Sequence, residues 1–127
     1  MQTQTLMLLP WPPPPHAFPH TSKVRTEVIV QSFADRHVVV VTQLRKLGTI
    51  MTAEAVDGLE GRRSYEIHTL LGRRDDALLD VYARQLIEKI ALTSAKPLLL
   101  TIALTEDGRG VDVFNDVLNT VLQIATW

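Results

Sequence analysis

Cysteine is absent from the 127 residues, which excludes disulfides, thiolate metal sites and a cysteine nucleophile and suits a reducing compartment. The expected location is the cytoplasm, with the nucleus as a second compartment. Net charge is nearly absent too. Thirteen Lys and Arg stand against 14 Asp and Glu, a formal −1 that gives no long-range pull toward phosphate backbones or anionic lipid. No apolar run approaches the ~20 residues of a membrane helix. The N-terminal Leu6-Met7-Leu8-Leu9 is short and has no basic residue before it, so neither a span nor a signal peptide is expected. Proline is scarce outside one segment, Pro10 to Pro19, which holds six of the seven.

What remains is an ordinary globular composition, 46% hydrophobic and 21% charged, in a chain long enough for one core. The proline segment cannot donate ladder hydrogen bonds and reads as polyproline II or disorder. Residues 1–21 are therefore expected to be a disordered or extended tail, and 22–127 a single domain. The four-proline run beside Trp11 lacks the flanking Arg or Lys of an aromatic-groove ligand, so a solvated tail is the better reading.

The domain opens with period-two alternation. Val24, Thr26, Val28 and Val30 share one face, which predicts a strand. After a break at Phe33 to Arg36, His37-Val38-Val39-Val40-Val41-Thr42 is apolar at successive positions, the mark of a strand covered on both faces. Two extended segments so closely joined must be an antiparallel pair. Gly48 to Glu54 predicts a third strand continuing the meander, Ala55 to Gly61 a loop, and Ser64 to Leu71 a fourth strand. Leu79, Tyr82, Leu86 and Ile90 then recur at helical spacing behind an Asp75 or Asp76 cap, predicting a helix over about 76–93. Leu98 to Leu104 is a second strand apolar on both sides, and Val113 to Ile124 a closing amphipathic helix.

The order ββββαβα predicts an α+β protein with a largely antiparallel five- to six-stranded sheet. Helices pack ~8–10 Å apart and strands ~4.8 Å apart, so two helices cover one face of such a sheet. The other face would be left bare while carrying large side chains. A sheet-to-sheet dimer with the helices outside is the expectation, because monomers rarely expose extended apolar patches.

No constellation points to catalysis. His16, His20, His37 and His68 show no close helical spacing of the kind a zinc site uses. Asp75, Asp76 and Asp80 fall where a helix dipole favours negative charge. Gly61-Arg62-Arg63 and Gly72-Arg73-Arg74 flank the fourth strand and suggest a basic end or simply solvated charge. Gly108-Arg109-Gly110 lacks the remainder of a dinucleotide fingerprint. The sequence thus predicts no enzyme, no metal and no cofactor.

Val38-Val39-Val40-Val41-Thr42-Gln43, the return Lys46-Leu47-Gly48-Thr49, then Leu70-Leu71-Gly72, Val81-Tyr82-Ala83, Leu98-Leu99-Leu100 and Trp127 together resemble the proteasome assembly chaperone 3 family. The likeness runs from about Lys23 to Trp127. It implies a noncatalytic chaperone of 20S proteasome α-ring assembly that binds α-subunits transiently. The implied partner is a related assembly chaperone 4-like protein in a heterodimer, or a second copy when isolated, with no nucleic acid and no membrane. Within that picture Val39, Val41, Ile50 and Leu99 are assigned to the partner, and Thr42, Gln43, Lys46, Gly48 and Thr49 to the client. A one-residue shift in face parity would exchange Val39 and Val41 for Val38 and Val40, and Gly48 could equally be structural. The competing reading is a small α+β dimerisation or adaptor module of another scaffold.

Overall fold

The computed structural model describes residues 3–8, 25–125 and 127. Its strands are β1 (Thr3–Leu8), β2 (Thr26–Ser32), β3 (His37–Thr42), β4 (Thr49–Asp57), β5 (Arg63–Leu71) and β6 (Leu98–Ala103), with helices α1 (Ala77–Ile90) and α2 (Val111–Ile124) on either side of β6 in the chain. The six strands form one sheet in the order β1-β2-β3-β6-β4-β5. Every neighbouring pair is antiparallel except β3 with β6.

Three features differ from the sequence reading. Thr3–Leu8, placed in the tail, is a strand that pairs with β2 from Thr3 opposite Gln31 to Leu8 opposite Thr26. It contains no proline and alternates poorly, so the proline run behind it masked the signal. The proline run itself, Val24 and the two tail histidines lie outside the described residues. The second difference is the meander. β4 does not lie beside β3; β6 enters between them, parallel to β3 and antiparallel to β4. The physical reason is the one that singled these strands out: β3 and β6 are apolar at successive positions over most of their length, and such strands belong at the centre of a sheet. The predicted loop at Ala55 to Gly61 is also shorter, since β4 runs on to Asp57 before a single 3-10 turn over Leu59–Gly61.

Both helices lie on one face. Asp76 caps α1, its carboxylate accepting from the Leu78 N–H at 3.2 Å, and Leu79, Tyr82, Ala83, Leu86, Ile87 and Ile90 fall on the buried side. On the wet side Arg84 and Glu88 make an i,i+4 pair at 3.3 Å. α2 begins at Gly110 and buries Val117, Thr120 and Val121. These residues close over Val28, Val30, Val39, Val41, Met51, Leu98, Leu100 and Ile102 in one continuous core. Each fully buried side chain of this size contributes roughly 1.5–3 kcal/mol. The parity is uniform: even-numbered residues of β2 and β6 and odd-numbered residues of β3 and β4 point under the helices.

Candidate protein-binding surfaces

Because side chains alternate across a sheet, the residues between those core positions form the face opposite the helices. Register aligns them in two rows. One row runs Ile29, Val40, Thr101, Ile50, Leu71, and the next Gln31, Val38, Leu99, Thr52, His68. Ile29, Val38, Val40, Ile50 and Leu99 are each only partly covered. No helix or strand among the described residues lies over them. At the middle of this face the Thr101 hydroxyl is buried without a protein hydrogen-bond partner.

This geometry corrects half of the partner assignment. Val39 and Val41 are fully buried in the core beneath the helices, so they hold this chain together and cannot meet another. Their neighbours Val38 and Val40 take the open face. Ile50 and Leu99 do stand there. A run of four valines carries no parity of its own, which is why the sequence left the choice open.

The turn after β3 is likewise more structural than the client assignment supposed. Thr42 is buried, and its Oγ1 accepts from the Leu44 and Lys46 N–H groups at 3.2 Å each, closing the turn. Gln43 is a bracket between loops. Its Oε1 accepts from the Thr105 N–H at 2.8 Å and the Thr105 hydroxyl at 3.2 Å. Its Nε2 donates to the Gly108 carbonyl at 3.1 Å and to the Thr26 hydroxyl at 3.2 Å. Gly108 is the one residue that admits this amide, since any Cβ there would overlap it. Gly48 has φ +68°, and a Cβ on it would strike the Ile102 carbonyl oxygen. Thr49 is buried and accepts from the Arg73 N–H at 3.2 Å. Of the five candidates, Lys46 and Gly48 are exposed, and of these Lys46 alone has a side chain to offer to solvent.

At the opposite end of the sheet, His37 is buried between Ser32, whose hydroxyl lies 2.8 Å from Nδ1, and Ser94, whose hydroxyl lies 2.9 Å from Nε2. Trp127 packs on its ring at a centroid distance of 5.1 Å. Burial, and secondarily the charge of Lys96, lowers the His37 pKa. The terminal tryptophan and the strand that begins at His37 are thus one structural unit, joined far from each other in sequence.

The two arginine doublets do not form a single basic end. Arg63 begins β5 and Arg73 follows its close, so a full strand separates them. Arg63 is held by Asp57 at 2.9 Å and by the Ala91 carbonyl at 3.0 Å. Arg109 is held by Asp76, at 2.9 and 2.6 Å. The hydrogen bonds from Arg109, opposed in part by desolvation, keep the Asp76 carboxyl below its usual range. This ion pair ties the β6–α2 loop to the start of α1 and accounts for Gly108-Arg109-Gly110 without any anion.

No three His, Asp or Glu side chains among the described residues are grouped to hold a metal. A cleft of about 190 Å³ on the open face is lined by Arg36, Thr52, Ala53, Glu54, Pro97, Leu98 and Leu99. It contains neither His37 nor Asp76 nor Tyr82, the buried ionisable groups, so the cleft does not bring them together.

What the sequence missed is a set of apolar residues in and beside turns. Leu44, Leu47, Leu70 and Leu71 are exposed at one end of the sheet. The available signal was simple for Leu44 and Leu47: leucine where turn chemistry asks for polar residues.

A family model for proteasome assembly chaperone 3 matches residues 39–124. The proteasome assembly chaperone 3 of Bos taurus is 31% identical over 86 residues, spanning 66% of this chain and 70% of that protein. Among solved structures, a chain from a chaperone complex for yeast 20S proteasome assembly superposes with a TM-score of 0.60 at 15% identity, covering 94% of this chain and 98% of that one. At that identity the structural likeness shows the shared fold.

Proposed function

The chain belongs to the proteasome assembly chaperone 3 family, and from that premise we propose that it is a noncatalytic chaperone of 20S proteasome α-ring assembly, working as a heterodimer with a related assembly chaperone 4-like protein. The observation that carries the pairing is the open sheet face. Val38, Val40, Leu99 and Ile50 present aliphatic surface in register across β3, β6 and β4, with the helices occupying the other side. Such a face is stabilised by a second sheet laid on it, about 10 Å away. In isolation a second copy would serve.

Binding of the client follows different physics. A factor that leaves the particle must hold its subunit through a modest interface with polar contacts, since a large dry one would retain it. The loops at the sheet end that carry Lys46 supply such a surface, while Thr42, Gln43, Gly48 and Thr49 shape it from behind. The protein would act in the cytoplasm and the nucleus.

The test is affinity purification of the full chain from cells followed by mass spectrometry. Recovery of α-subunits and a small chaperone without mature particles is expected. Vesicle-coat or kinase-scaffold components in their place would favour the adaptor reading, and the absence of every proteasome component would end the chaperone one.

A further inference from the structure

β4 brings two connections to one end of the sheet. The turn 43–48 leads into β4, the segment 72–76 leaves β5, and they are stitched by the Arg73 N–H donating to Thr49 Oγ1 at 3.2 Å. This end carries leucines that the core does not use: Leu44 and Leu47 in the first connection and Leu70 and Leu71 at the close of β5 are 45%, 55%, 56% and 63% exposed. Exposed apolar residues scattered singly need no account, but four gathered at one end of a sheet do. The first turn is also held against its own preference. Arg45 adopts φ +54°, a left-handed conformation costly for a side chain of this kind, and the Thr42 hydroxyl fixes it by accepting from the residues on either side. Strain and exposure maintained together by a buried anchor mark a surface shaped for contact.

Cations are interleaved with these leucines. Arg45, Lys46, Arg73 and Arg74 are all exposed. On the same two connections the carboxylates are Asp75, 4.0 Å from Arg73, and Asp76, which is committed to Arg109. Glu106, on the neighbouring loop, acts on Arg109 as well. The neighbouring loop adds the exposed Asp107 as well, so the positive excess in this chain of net charge −1 lies on the two connections themselves, four cations to two carboxylates.

We propose that this leucine and arginine tip is the client-docking surface, and that it takes a segment of the client subunit in which aliphatic side chains alternate with carboxylates. The leucines supply desolvated contact and the four cations orient the segment and exclude basic competitors. This rests on the chaperone reading above. It borders the sheet face at Leu71, which pairs with Ile50, so a client seated here would abut the partner chaperone without displacing it.

The test uses the full chain and purified 20S proteasome α-subunits immobilised one at a time, with binding measured by surface plasmon resonance. Wild type should bind at least one subunit, with affinity falling as salt rises. The charge-reversed variant Arg45→Glu, Lys46→Glu, Arg73→Glu, Arg74→Glu should lose roughly tenfold or more, because four rim attractions become repulsions. Leu44→Ser with Leu47→Ser should weaken the same subunit while thermal unfolding stays near wild type, both side chains being largely outside the core. Affinity within about twofold of wild type in both folded variants would overturn the proposal and leave the chaperone reading standing. Wild type binding no subunit would overturn both. Binding by wild type to phosphatidylserine vesicles, lost in the charge-reversed variant while subunit binding persists, would assign the tip to a membrane surface and equally overturn it.

Discussion

Replacing Gln43 by Leu tests whether the Thr-Gln turn is architecture or contact surface. The amide joins three segments: it accepts from the Thr105 N–H and hydroxyl, and donates to the Gly108 carbonyl and the Thr26 hydroxyl. A neutral side-chain hydrogen bond contributes about 1 kcal/mol net, and an orphaned backbone donor costs more than the bond itself. The site is part-buried, so water recovers some of the loss. Allowing for that, Gln43→Leu should cost about 2–3 kcal/mol. For a domain between the small and medium size classes this corresponds to a fall in Tm of roughly 8–15 °C. Urea unfolding followed by circular dichroism measures the free energy, and calorimetry the midpoint. The Leu side chain would also press on Gly108, whose lack of a Cβ exists to admit the amide. A variant whose stability stays within about 0.5 kcal/mol of wild type, a change typical of an unimportant surface site, would refute the reasoning. Loss of client binding in that stable variant would return Gln43 to the contact surface.

Asp76→Ala removes a helix cap and strands a half-buried Arg109, for an expected loss of about 2–4 kcal/mol by urea unfolding; Asp76→Asn, which keeps the cap, should lose less, and no loss in Asp76→Asn would show the ion pair to be idle. The Asp76 carboxyl titrates below 3.8, so its contribution is present above that pH and disappears as pH falls through the depressed value. Tyr82→Phe should be neutral or stabilise by up to about 1 kcal/mol, because the buried hydroxyl has no protein partner while the ring keeps its edge contact with Phe114 at 4.7 Å; a loss above about 1 kcal/mol would mean that an internal water bonds the hydroxyl. His37 is lowered from 6.5, so the unfolded chain takes up its proton first: its contribution is intact above about pH 6.5 and is lost as pH falls through the native value. Unfolding free energies at pH 7.5 and 5.5 should therefore drop on acidification in wild type more than in His37→Gln, and equal drops would contradict the assignment.

Element types were legible wherever periodicity was strong. The helix at 77–90 announced itself through Asp76 and the Leu79, Tyr82, Leu86, Ile90 spacing, and the valine strand through its β-branched run. Sheet order was not legible, because local pattern says that β3 and β6 are central but not that β6 separates β3 from β4. Face parity failed at Val39 and Val41 for a related reason: four identical residues cannot say which two point inward until Leu98, Leu100 and Ile102 are set beside them. The internal partners of the turn residues Thr42, Gln43, Gly48 and Thr49 were not legible, since Thr105, Gly108, Ala103 and Arg73 lie up to 65 residues away. Lys46 and the exposed leucines beside it carry the part of the signal that points outward.

The account turns on one face of one sheet. Leu99 sits in its centre, between Val38 and Thr52, outside the helix-covered core. The decisive measurement is light scattering on the full chain co-expressed with the proposed assembly chaperone 4-like partner, comparing wild type with Leu99→Asp. Wild type should run at the mass of a heterodimer, and Leu99→Asp as a folded monomer with an unchanged circular dichroism spectrum. A folded Leu99→Asp chain that still runs at the wild-type mass would show that the partner docks elsewhere.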